Sequence, residues 1–439
     1  MTVSAGSSWR EGVTQSQWRS LIAANLGWLF DGFETYALIL TASTVLRRLN
    51  PDTPTSSIAF LTGATIAVTL LGWGMGGILG GILADYYGRR RALLTTVVLY
   101  AGFTGLSALS WSLASFLVLR LVTAIALGSE WGTGASLVAE IWPGNARAKA
   151  AGLMQCGLGL GFFIASACWY FVAPLGPDSW RVMFLLGVLP ALFALWLRRS
   201  VPESDQWIAA KQRRTQLRER AAELLSVRDE AYTRLTLRQI FVDPKLRRLT
   251  ILGSLMSLVT TVAWWGISTW VPLYVSDLAA RSGYTASNWA SVAGMIYNLG
   301  GIAGYISFGF LADRFGRKPT VLLYFASSLV LTPVLFLWTH DLRFIVVVLV
   351  LNGFFTLGQY TWMPVWLPEF YPTYLRATGA AFVVNAARFV AFLGPLLSGA
   401  IIARLGGYGI AATVVGGIYI VGLIVAPLCP ETRGRPLPE

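Results

Sequence analysis

Charge is what this sequence has least of. Asp, Glu, Lys and Arg make up 13% of its 439 residues, against roughly 25% in a soluble domain. So dilute a charge excludes an ordinary water-facing surface. Histidine is nearly absent, and the one residue, His340, falls in a loop, which argues against a histidine proton relay. The three cysteines, Cys156, Cys168 and Cys429, lie in or beside apolar runs at no metal-like spacing and read as packing residues. No Gly-x-x-x-x-Gly-Lys-[Ser/Thr] loop occurs, which argues against ATP as a driving force. The first apolar run is too long for a signal peptide and has no small-residue cleavage pattern.

Apolar runs stand in the place of charge. Hydrophobic residues are 55% of the chain, and mean hydropathy is +0.61. Runs of about 20 residues or more are long enough to cross hydrocarbon. Twelve are expected, at about 18–46, 57–84, 92–110, 112–140, 148–174, 180–198, 248–277, 287–312, 319–338, 341–370, 376–404 and 407–428. Backbone polar groups find no partner in lipid, so each run must be a helix. The net charge of +13 is distributed by topology. If the N-terminus is cytoplasmic, outward loops hold only Arg47, Arg48, Arg181, Arg281, Arg343 and Arg404. Arg120 and Arg388 lie within spans, and the remaining Lys and Arg collect on the cytoplasmic side. This positive-inside bias predicts both termini in the cytoplasm and argues against a nucleic-acid partner.

Domain organisation follows from one long hydrophilic insert. Residues 1–199 form a first six-span unit, 200–247 a linker, and 248–439 a second six-span unit with a tail. The middle of the linker, Ile208–Leu225, mixes Lys and Arg with Glu and is expected to form surface helices on the membrane. The halves echo each other. Gly81-Ile-Leu-Ala-Asp85-Tyr-Tyr-Gly88-Arg89-Arg90 closes the second span, and Gly309-Phe-Leu-Ala-Asp313-Arg314-Phe-Gly316-Arg317-Lys318 closes the eighth. The Asp can latch onto an adjacent helix end, and the Gly allows a tight turn. A duplicated unit places the substrate between the halves, near the midplane.

The repeated loop resembles that of the major facilitator superfamily, over essentially the whole chain. Tyr86 stands in the first copy where that pattern has Arg. Further motifs are similar to the sugar-porter-related branches, including aromatic-acid and sialate proton symporters. They are Gly128-Ser-Glu130-Trp-Gly132, Pro202-Glu203-Ser204, Pro368-Glu369-Phe-Tyr-Pro372 and Pro430-Glu431-Thr432. The resemblance implies an all-α membrane protein, twelve transmembrane helices in two pseudo-symmetric six-helix bundles. It also implies a cytoplasmic gate of ion pairs that reform in each cycle. By position this gate comprises Asp85, Arg89, Glu140, Arg147, Glu203, Asp313, Arg317, Glu369, Arg376 and Glu431.

Ionisable residues inside the spans point to function, because each costs roughly 2.5–3.5 kcal/mol near the bilayer centre. The first span reads Gly27-Trp28-Leu29-Phe30-Asp31-Gly32-Phe33-Glu34, similar to the aromatic-acid and sialate symporters. Asp31 and Glu34 lie one turn apart on one face, and two such carboxylates resist joint ionisation. With Arg120 and Glu130 in the fourth span they are the proton-coupling candidates; Arg120 can pair with Asp31 or with Glu34, or be structural. In the second half Arg388 is unmatched by any acid near the midplane. A guanidinium presents a planar fork to a carboxylate, so Arg388 is the expected substrate anchor, with pairing across the halves as the alternative. Gln155, Trp264, Trp265, Tyr297, Asn298, Asn352, Gln359 and Asn385 complete the candidate substrate set. The seventh span has Trp264, Trp265 and Trp270 but no Gln, which favours a planar or apolar ligand over a sugar ring.

These readings converge on a secondary transporter, not an enzyme. It would work as a monomer in a prokaryotic inner membrane and take up a small organic anion with protons by alternating access. The proton gradient would drive it, with no cofactor and no metal. A sugar or polyol porter and an exporter of drugs or other amphiphiles are the alternatives.

Overall fold

The computed structural model describes residues 9–10, 12–52, 54–190, 196, 203–219, 236–405 and 407–438. They are mostly helical and follow the expected order of spans. Nine spans are helices long and apolar enough to cross a membrane among the described residues. The first (Gln15–Leu49) and third (Arg89–Ser107) are also continuous helices. They are less apolar because the first carries Asp31 and Glu34 and the third opens on three arginines. The sixth starts at Ser179–Leu186, and the rest of that expected span, from 191 on, lies outside the described residues apart from Trp196.

In lipid, helices gain little by hiding apolar surface from one another, so close backbone contact must hold the bundle. Glycine provides it at matching places in the halves. A Cβ on Gly76 of the second span (Thr55–Tyr87) would strike the carbonyl of Ile125 on the fourth (Leu113–Ile141). A Cβ on Gly300 of the eighth span (Ala286–Phe315) would strike the carbonyl of Val350 on the tenth (Leu342–Gly358). Between the halves, the second span packs on the start of the eleventh (Arg376–Ala386), and the eighth packs on the fifth (Arg147–Val172). These two contacts are one arrangement repeated about the pseudo-twofold axis.

Several second-half spans are broken at positions the sequence explains. The seventh, Pro244–Ser268, restarts at Trp270 because Pro272 cannot donate a hydrogen bond back to Ser268. The tenth tightens into 3₁₀ turns at Gln359–Thr361 and Leu367–Glu369, flanking Trp362–Trp366 with Pro364 inside it. The eleventh is interrupted on either side of Arg388–Ala391, the second time next to Gly394-Pro395. In the linker, Asp205–Glu219 is a helix, and residues 220–235 lie outside the described residues. The helix sits against the first half: Trp207 donates to the carbonyl of Asp85 at 3.0 Å and Gln206 to that of Glu140 at 3.2 Å.

The glycine contacts generate the first prediction. Gly76→Val and Gly300→Val meet unyielding backbone and should cost at least the 1–3 kcal/mol typical of overpacking. Gly102, with open space around it, should accept Ala. Size-exclusion profiles of fluorescently tagged variants check this; a Gly76→Val or Gly300→Val protein that elutes and melts like the parent removes the argument.

Candidate functional site

Two clusters of buried polar side chains stand out, one near the midplane and one on the basic face. Near the midplane, spans one and four meet. Glu34 and Arg120 form a fully buried ion pair. Arg120 also donates to Ser107 and Thr123 at 3.1 Å each, and it sits 4.7 Å from the ring centre of Phe184. Asp31 does not share this pair. It faces Glu130 carboxyl to carboxyl, and apart from Glu130 neither of its oxygens has a hydrogen-bond partner among the described residues. The two arrangements that the sequence left open for Arg120 thus resolve to Glu34.

Arg388 lies across the gap on the second half and is 2% exposed. One Nη donates to Asn385 Oδ1 and the other to the Tyr360 hydroxyl at 3.3 Å. Its guanidinium lies 4.5 Å from the ring centre of Trp73, on the first half. The carbonyl of Val384 also accepts from it at 3.5 Å, and all four partners are neutral. The acid that bears on Arg388 electrostatically is Asp31. Aromatic rings run from half to half around this charge: Trp28 to Trp73 at 6.1 Å, Trp73 to Trp265 at 6.5 Å, Trp265 to Trp264 at 5.0 Å and Trp264 to Tyr360 at 6.0 Å. Gln155 accepts from Trp131 at 3.4 Å, and its Nε2 has no partner among the described residues.

The remaining expected substrate residues are less closely drawn in. Gln359 is engaged inside the second half by Tyr419 at 2.6 Å and Thr260 at 3.3 Å. Tyr297 bonds to Ser268 at 3.2 Å, and Asn298 donates to the carbonyl of Gly294. Asn352 is buried with no partner for its amide among the described residues. The sequence reading missed Trp73, which looks like any other aromatic in an apolar run. A void of about 10 Å³ beside Trp28, Glu130 and Trp131 has room for about one water. The halves also touch on the face away from the loops, where Gly63 abuts Pro395 and Gly294 abuts Tyr36 and Ser166. The halves therefore meet on both sides of the midplane site.

On the basic face the expected gate residues come together, in two related copies. Glu203 caps the third span, accepting the backbone N–H of Arg89 at 2.9 Å and of Arg90 at 3.2 Å. Glu431 does the same for the ninth (Arg317–Pro333), accepting from Arg317 at 3.1 Å and Lys318 at 3.0 Å. An anion at a helix N-terminus is well placed. The turns before these helices need positive φ, +107° at Gly88 and +105° at Gly316. Burial pushes Glu431 up, but the amides of Lys318, Arg317, Arg433 and Thr432 outweigh it and hold it below the usual range. Its cap therefore persists above that range and is lost only as pH falls below it.

The Asp residues reach across to the other half. Asp85 accepts the Thr378 N–H at 2.8 Å and its hydroxyl at 2.6 Å. Asp313 pairs with Lys149 at 2.9 Å. Thr378 and Lys149 are each two residues after the Arg that opens its helix, in Arg376-Ala-Thr and Arg147-Ala-Lys, so the latch partners are equivalent. Glu140 takes Arg89 at 3.0 Å and Arg376 of the other half at 3.2 Å. Glu369 takes Arg317 at 2.7 Å and the Thr432 hydroxyl. Arg147 breaks the symmetry: its Nε donates to the carbonyl of Ala139 at 3.1 Å, and it has no ion pair among the described residues.

Residues 20–439 match the family described as Sugar (and other) transporter, and the chain belongs to that family of the major facilitator superfamily. It is therefore a membrane transporter and not an enzyme. It is 31% identical to a metabolite transport protein of Haemophilus influenzae, over 96% of this chain and 98% of that one. It is 27% identical to the sialic acid transporter of Escherichia coli, over 89% of each. Identity to the niacin transporter of Acinetobacter baylyi is 27%, over 95% of this chain and 94% of that one. Among solved structures it resembles the proton:xylose symporter bound to 6-bromo-6-deoxy-D-glucose. There the TM-score is 0.78 at 21% identity, covering 96% of this chain and 98% of that one. The twelve-helix fold is thereby established.

The buried Glu34–Arg120 pair can be tested directly. Glu34→Gln leaves Arg120 uncompensated and should cost about 3–5 kcal/mol of stability, whereas Glu34→Gln with Arg120→Met should recover most of it. Melting of the three proteins in one detergent decides, and a double variant no more stable than the single one contradicts the pairing.

Proposed function

We propose that this transporter carries a small organic anion into the cell together with a proton, by alternating access. The observation that carries this reading is Arg388, a buried guanidinium whose contacts are a side-chain amide, a backbone carbonyl, a phenol and a ring face. A buried charge with only neutral partners is poorly compensated. A carboxylate entering from outside supplies the missing charge and meets the guanidinium fork at two points. The rings of Trp73, Trp264 and Trp265 suit a planar or apolar body on that carboxylate. Relatives named for niacin and for sialic acid fit an acidic cargo.

Proton coupling follows from Asp31. Adjacent buried carboxyls such as Asp31 and Glu130 titrate as a unit that favours one shared proton. When Asp31 is ionised, it compensates Arg388 across the gap. When it is protonated, Arg388 turns to the substrate anion. Proton and anion thus promote each other's binding, and the neutralised centre allows the halves to rock past an inward-facing state. The basic face is then cytoplasmic, in a bacterial inner membrane. Gln155, whose amide N–H groups have no partner among the described residues, favours the second reading, a neutral hydroxylated cargo.

Purified protein in proteoliposomes tests the scheme. Arg388→Ala should lose about 2–5 kcal/mol of anion binding, roughly 30-fold or more. Asp31→Asn should keep counterflow exchange, lose pH-driven accumulation and bind the anion with little dependence on pH. Undiminished carboxylate uptake by Arg388→Ala sinks the anion scheme, and binding of xylose or another sugar in place of carboxylates moves the reading to the second.

A further inference from the structure

The basic face holds a cavity of about 870 Å³ that the transport cycle described above does not use. Asn145, Arg147, Gln206, Arg213, Thr373 and Arg435 contribute to its lining. They come from the turn between spans four and five, the linker helix, the turn between spans ten and eleven, and the tail. Both halves, the linker and the tail therefore build its walls.

Arg147 is only 9% exposed, yet it faces this cavity. Its counterpart Arg376 is anchored the same way, Nε to the carbonyl of Pro368 at 3.2 Å. The Nη nitrogens of Arg376 are then engaged by Glu140 at 3.2 Å and by the carbonyl of Pro438 at 2.9 Å. Arg147 has the first anchor, to Ala139, and no such further partners among the described residues. The acids that attract it, Glu369 and Asp313, are already engaged by Arg317 and Lys149. Arg147 also opens a 26-residue helix, whose first amides favour an anion beside it. Arg435 adds charge from the tail of the opposite half.

We propose that this cavity binds a small soluble anion bearing two or more phosphate or carboxylate groups. The bound anion ties Arg147 of the first half to Arg435 of the second and holds this face closed. A multivalent ion fits because the guanidinium groups converge from separate segments, and a cavity of this volume admits more than a chloride. Binding here is independent of which solute crosses at the midplane.

The experiment uses the full chain in nanodiscs of zwitterionic lipid. Melting is followed against tripolyphosphate and against citrate, with NaCl holding ionic strength constant. The expected result is a saturable rise in Tm beyond the salt control. Arg147→Gln should weaken it at least tenfold, Arg435→Gln less, and Asn145→Asp should oppose it by repulsion. In proteoliposomes, the anion should slow uptake only from the side that carries the tail. No shift beyond NaCl overturns the proposal, as does a shift unchanged in all the variants that fold; if Arg147→Gln fails to fold, the other two decide. Stabilisation by phosphatidylglycerol alone assigns the cavity to a lipid headgroup and overturns the soluble-anion reading.

Discussion

The cost of placing charge where water cannot follow organises this protein. Each ionised group near the midplane has had to find a partner, and the kinds of partner differ. Glu34 and Arg120 have each other, with hydroxyls on Ser107 and Thr123 completing the set. Such a pair, held within one half, has no reason to change as the halves move, although Glu34 Oε2 and Arg120 Nε have no hydrogen-bond partner among the described residues. Asp31 and Arg388 are different. They sit on opposite halves, and each lacks a full partner in its own. The first kind of charge belongs to one bundle, and the second kind faces the other bundle without a full partner in its own.

The basic face works by the same physics under milder conditions. There, carboxylates meet backbone amides at helix N-termini as well as cations. Glu203 and Glu431 hold the turns of their own halves, whereas Asp85 and Asp313 reach across. Any movement that parts the halves on this face must break the Asp contacts and the Glu140–Arg376 pair, and can leave the Glu203 and Glu431 caps intact. This division between fixed and renewable contacts gives the loop motif its mechanical sense.

Much of this was legible in the sequence. Low charge and long apolar runs leave no alternative to a helical membrane protein, and two copies of one loop motif reveal the duplicated halves. The buried ionisable residues could be picked out because lipid makes them expensive. What could not be read is which carboxylate Arg120 would choose, since Asp31 and Glu34 differ by one turn of one helix. Trp73 was missed because a stacking tryptophan and a packing tryptophan have the same sequence signature. Glu203 and Glu431 were assigned to ion-pair clusters by position, while the structure shows them on backbone amides. A motif gives their place but not whether the nearest donor is a side chain or the main chain. Thr378 and Lys149 were overlooked because, unlike in type, they become recognisable as equivalents only when the halves are superposed.

That unlikeness has a consequence of its own. Of the two related crossings, one rests on a hydroxyl and a main-chain amide at Asp85, buried at 3% exposure. The other is an ion pair with 16% and 13% of its side chains exposed. Dissolved ions screen the second far more than the first. The face is thus fastened by a dry clasp on one side and a wet one on the other. Although the chain is built from two similar halves, the two edges of this face are unequally held, and the salt dissolved beside it sets how firmly the second is fastened.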